Sequence, residues 1–81
     1  MTIKLPPHEK PVGWVVIEIS NGDVLGIRYS VLKVDAMEHA AQCGIENSDQ
    51  NFKDIAYMLE ESGVFRSDEY SVWVQAIFRS E

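Results

Sequence analysis

His39 and Cys43 are the side chains best suited to chemistry in this chain, and they stand four positions apart. On a helix that spacing lays both on one face, where two ligands can reach one divalent metal ion. Zinc usually takes three or four protein ligands, and the only other histidine is His8. Two ligands predict no metal site and no cofactor. The pair is also a poor cysteine nucleophile, because no third group is suggested to orient the imidazole. His39 is therefore expected at the surface and Cys43 half-buried at a helix edge. Glu60-Glu61 and Asp68-Glu69 place carboxylates side by side, but adjacent helical positions diverge by about 100°, and the second pair falls in a turn. Neither converges on a substrate. The chain carries no G-x-G-x-x-G, P-loop, G-x-S-x-G or H-E-x-x-H, and Asn21-Gly22-Asp23 is a turn rather than a calcium loop. No catalytic residue is expected. Acid/base chemistry would need a cleft enclosing Glu38 and His39.

The acids are unevenly distributed. Nine of thirteen carboxylates fall between Asp35 and Glu69, opposed only by Lys53 and Arg66, which leaves −7 there and +1 elsewhere. A concentrated negative face repels nucleic acid and acidic membranes and attracts basic surfaces. The seven basic residues are dispersed and form no aromatic-basic strand motif. Direct nucleic-acid binding is not expected.

With 81 residues there is room for one core. At 46% hydrophobic and 25% charged residues the composition is globular rather than disordered. No apolar run approaches the ~20 residues of a membrane-spanning helix. The N-terminal residues lack the pattern of a signal peptide, and Cys43 has no disulfide partner, so a reducing cytoplasm is the expected location.

Residues 1–12 read as a Pro-rich arm, with Pro6, Pro7 and Pro11 and a possible short strand at Thr2–Leu5. Residues 13–81 read as a single α+β domain. Gly13–Ser20 and Asp23–Val31 form a hairpin around Asn21-Gly22. A three-residue loop with a bulge at Gly22 pairs Ile17 with Leu25 and Val15 with Ile27, which separates apolar from mixed faces better than a two-residue loop does. Asp35-Ala36-Met37-Glu38 opens a short helix that Gly44 can close, with Met37, Ala40 and Ala41 inward. A second helix starts near Asn47 or Ser48 and stops at Gly63, burying Phe52, Ile55, Ala56 and Leu59. Val64–Glu69 reads as a connector. Tyr70–Arg79 alternates as a strand, with Tyr70, Val72, Val74 and Ala76 opposite Trp73, Gln75 and Ile77. The result is a two-layer sandwich of order β-β-α-α-β. Its mainly antiparallel sheet has three strands, or four with an N-terminal addition, and both helices lie on one face.

Two surfaces follow. On the second helix Asp54, Tyr57 and Glu61 share the outer stripe, with Asp49 and Glu60 flanking it, a docking face for a basic protein. On the sheet face away from the helices, Trp14, Val16, Trp73 and Ile77 are expected with Arg28 and Arg79 among them, either as an oligomer surface or under the Pro-rich arm. Trp14 opposite Arg28 would form a cation–π pair. Small, acidic, motif-free α+β chains are a type shared with phage-encoded inhibitors and toxin-neutralising immunity proteins. The expected function is a non-catalytic module that inhibits or regulates a basic partner, such as a nucleic-acid-handling enzyme. The alternative is a homo-oligomeric accessory protein joined through the Trp14/Trp73 face.

Overall fold

A computed structural model describes residues 11–78. The elements are β1 (Gly13–Ser20), β2 (Asp23–Ser30), α1 (Lys33–Glu46), α2 (Phe52–Ser62), β3 (Val64–Ser67) and β4 (Tyr70–Ile77). They form a four-stranded antiparallel sheet of order β2-β1-β4-β3 with the two helices packed on one face, the α+β sandwich that the pattern implied. The last strand lies beside the first. The Thr2–Leu5 strand and Arg79 fall outside the described residues. Within them the fourth strand is β3, where the sequence suggested a connector. Four residues are too few for alternation to show, and β3 is held by pairing Phe65 with Val72 and Ser67 with Tyr70. No helix among the described residues is long and apolar enough to cross a membrane.

The β1–β2 turn has Asn21 and Gly22 both at positive φ, 53° and 83°, which is how a two-residue loop matches the twist of its strands. Ser20 therefore pairs with Asp23 and Ile19 with Val24. The register then shifts, and Leu25 is left as the extra residue before Gly26 pairs with Glu18. The observed pairs are Ile17 with Ile27 and Val15 with Tyr29, two residues from the expected register. Because the offset is even, Val15, Ile17 and Ile27 still share a face.

Which face packs on the helices is the main correction. Trp14 and Val16 line the helix side, with Val16 1% exposed and Trp14 packed against the core. Arg28 pairs with Val16 and so lies on that side as well. Only Trp73 and Ile77 of the expected set point outward. β1 carries Val15, Ile17 and Ile19 on one face and Trp14, Val16, Glu18 and Ser20 on the other, so its own alternation favours the face that turns out not to meet the helices. Pairing with β4 overrides it, by setting Val16 against Val74 and Glu18 against Val72, whose side chains face the helices. Trp14 is opposite Ser30, and the cation–π pair that forms is Arg66 over Trp73, 5.1 Å from the ring centre.

The helices also differ in detail. α1 starts after Leu32, without a side-chain cap, and runs fourteen residues through Gly44. Gly44 is a packing residue: a Cβ there would lie 3.0 Å from Ile55 and 3.2 Å from Phe65. With Ala36, Ala40 and Ala41, all buried, it lets α1 approach both α2 and the sheet closely. α2 starts later than expected, where the Asn51 side chain accepts the Asp54 N–H at 2.8 Å. It ends, as expected, at Gly63 in the left-handed conformation, φ 77°. Ile55 and Leu59 are buried, whereas Phe52, in the first turn, is 52% exposed.

Candidate functional site

The fold gathers one polar cluster between sheet and helices. Glu18 interrupts the apolar run of β1 and points toward α1, opposite Gly26 of β2. The first residue of β4, Tyr70, donates its hydroxyl to Glu18 Oε1 at 2.8 Å. From α1, one turn apart, come His39 and Cys43, with Cys43 Sγ 3.6 Å from His39 Nε2. Arg28 of β2 approaches the other ring nitrogen, its Nη1 3.4 Å from His39 Nδ1. The donor atoms of Glu18, His39 and Cys43 all lie within 4.8 Å of one another.

Two expectations are corrected here. His39 is half-buried rather than a surface residue, and Cys43 is 6% exposed rather than half-buried. The helical spacing had already placed them together. Glu18 and Tyr70 were missed, although a glutamate inside an apolar strand is a visible signal.

Electrostatics keeps the thiol and the phenol of this cluster protonated. Burial, and then the Glu18 carboxylate, push the Cys43 thiol up from 9.0 to about 11. The same two causes, in the same order, raise the Tyr70 hydroxyl above its ordinary 10.0. An activated cysteine needs a depressed pKa and a histidine oriented by an acceptor. Here the thiol is raised, and an arginine rather than a carboxylate faces Nδ1. The geometry is not that of a cysteine–histidine nucleophile.

Beside His39 an open depression of about 700 Å³ runs between the end of β2 and α1, with Glu38, Arg28 and Phe52 among its walls. Its lining is mainly polar, unlike the enclosed apolar cleft that acid/base catalysis at Glu38 and His39 requires. No known family, curated protein or solved structure matches this chain.

The two predicted surfaces fare differently. Asp49, Asp54, Tyr57, Glu60 and Glu61 are all exposed, Tyr57 at 66%. Asp54, Tyr57, Glu60 and Glu61 lie on α2, while Asp49 belongs to the link between the helices and lines a second depression with Glu46 and Asp68. Glu60 is 3.8 Å from Lys33 in an exposed ion pair. The outer sheet face, relieved of Trp14, Val16 and Arg28, is more apolar than expected. It carries Val15, Ile17 and Ile19 of β1, Val24, Ile27 and Tyr29 of β2, Val64 of β3, and Trp73 and Ile77 of β4. Ile27 is 67% exposed, and Arg66 is the only charged side chain among the paired positions of that face.

Proposed function

We propose that this protein is a non-catalytic association module, and that two copies of the chain pair through the outer face of the sheet. The observation that carries the reading is that face: nine apolar side chains and one charge, with Val24, Ile27 and Tyr29 more than half exposed and the other six half-buried. An apolar patch of this extent on a small domain marks an interaction surface. A strand of eight residues spans about 26 Å, and three long strands with one short one are about 17 Å across. Allowing for side-chain relief, face-to-face packing removes roughly 600–800 Å² per copy, the size of a standard stable interface.

Charge favours a second copy as the occupant. In that arrangement the helices lie on the outer sides, so the two acidic layers stand roughly 30 Å apart, several Debye lengths at physiological salt. A net charge of −6 per chain therefore does little to oppose pairing. The most exposed part of that face is the β2 edge, where Val24, Ile27 and Tyr29 are each more than half exposed, as is Leu25 at the bulge.

Sedimentation of the full chain across protein concentration tests the reading. The expected result is a dimer that survives molar salt and dissociates in Ile27→Lys while circular dichroism stays unchanged. A monomer at several hundred micromolar (far above a useful Kd), indifferent to Ile27→Lys, would refute it.

A second reading rests on Tyr57, exposed between Asp54 and Glu61 on α2. Pairing through the sheet leaves this acidic face free on both copies, to inhibit or regulate a partner with a basic surface, such as a nucleic-acid-handling enzyme. Such a complex weakens with salt and is lost in Asp54→Lys/Glu61→Lys. One indifferent to both would exclude this face.

A further inference from the structure

Glu18 is a charged residue on the covered side of a central strand, and among the described residues it has no ion pair. Tyr70 donates to its Oε1, and the protonated thiol of Cys43 lies beside the same carboxylate. Partial burial of a carboxylate disfavours a second negative charge beside it, so the thiol gives up its proton there only when a positive charge joins the two. The spacing of the donors identifies such a charge. Two ligands held about 2.3 Å (sulfur) and 2.05 Å (nitrogen) from a tetrahedral zinc ion are themselves about 3.6 Å apart. Cys43 Sγ and His39 Nε2 are 3.6 Å apart, and the carboxylate of Glu18 completes a trio within 4.8 Å. Closing the trio to ligand distances needs a movement of about 1 Å by one carboxylate, the group among the three with free rotation at its end.

We infer that Glu18, His39 and Cys43 bind a divalent transition-metal ion, Zn²⁺ by the class of its ligands. A thiolate, an imidazole and a carboxylate together suit zinc and do not suit Mg²⁺ or Ca²⁺, which take oxygen ligands. The charge closes to zero: a 2+ ion, one thiolate, one carboxylate and a neutral imidazole, with the thiol proton released to solvent on binding. Tyr70 acts as the outer support, holding Oε1 of Glu18 so that Oε2 is free for the ion. With Nε2 on the metal, His39 carries its ring proton on Nδ1, so Arg28 must swing away from its 3.4 Å contact. It is an exposed side chain with room to do so. The fourth ligand position is left to water, on the side where His39 meets the depression.

Metal-free full-length protein titrated with Zn²⁺, and separately with Co²⁺ as an optical probe, tests this. One equivalent is expected to bind with a Kd below about 1 μM. The Co²⁺ form should show a thiolate charge-transfer band and the strong d–d bands of a tetrahedral ion. Glu18→Gln and His39→Gln should each weaken binding at least tenfold, Cys43→Ser should lose the charge-transfer band, and the remote acid variant Glu61→Gln should bind as the wild type does. Absence of that band in the wild-type protein overturns the site whatever the variants do. So does binding only above about 100 μM, or equal competition by Mg²⁺, which would mark a diffuse acidic surface.

Discussion

Removing one oxygen, in Tyr70→Phe, tests the polar cluster most directly. The Tyr70 hydroxyl donates to Glu18 Oε1 at 2.8 Å, and the tyrosine is only 6% exposed. A hydrogen bond to an ionised group contributes about 1.5–3 kcal/mol, and removing the donor leaves the carboxylate to find another. Glu18 is half-buried rather than sealed, so water can partly replace the hydroxyl, and the lower end of that range, about 1.5 kcal/mol, is expected. A chain of this size has roughly 4–12 kcal/mol in all, so the change is large enough to measure. It corresponds to a fall in Tm of roughly 6–12 °C. Urea unfolding at pH 7, at fixed protein concentration because pairing would couple to stability, should show a lower midpoint with an unchanged slope.

Alkaline pH supplies an independent check of the same bond. The folded state raises the pKa of Tyr70 above its ordinary 10.0, through burial first and Glu18 second. A raised folded pKa means that the native state holds the proton more tightly. Its stabilisation is complete below about pH 10 and is lost as pH rises further, when the unfolded chain ionises first. Cys43, raised from 9.0 to about 11, acts in the same direction from about pH 9. The gap between wild type and Tyr70→Phe should therefore narrow above pH 10. A variant within about 0.5 kcal/mol of wild type at pH 7, or a gap constant to pH 11, would refute the account of the cluster.

Two further changes test the packing that positions it. Gly44→Val places branched methyls where even a Cβ would lie 3.0 Å from Ile55 and 3.2 Å from Phe65, both fully buried, and should cost about 1–3 kcal/mol in urea unfolding. Asn51→Ala removes the acceptor of the Asp54 N–H at the start of α2 and should lower stability by about 1 kcal/mol, while Asn51→Asp retains it.

Local chemistry made part of this molecule legible in advance. Asn21-Gly22 marks a tight turn because both residues tolerate positive φ, and Gly63 ends α2 for the same reason. The i, i+4 spacing of His39 and Cys43 put them on one helical face, and the period of α2 put Asp54, Tyr57 and Glu61 outside. β3 was not legible, since four residues carry too little period, nor was Gly44, which looked like a helix end and is a contact point between helices.

By itself the sequence determined the class of fold, the acidic helical layer, and the division of each long strand into two alternating sets. Tertiary structure alone decided which set of β1 meets the helices. The mixed set, Trp14, Val16 and Glu18, goes inward against the local pattern, because the pairing of Val16 with Val74 and of Glu18 with Val72 places it there. That one choice turned Trp14 inward, put Ile17, Ile27 and Trp73 on the face away from the helices, and carried Glu18 to His39 and Cys43. Periodicity says which residues travel together. Contacts distant in sequence say where they go.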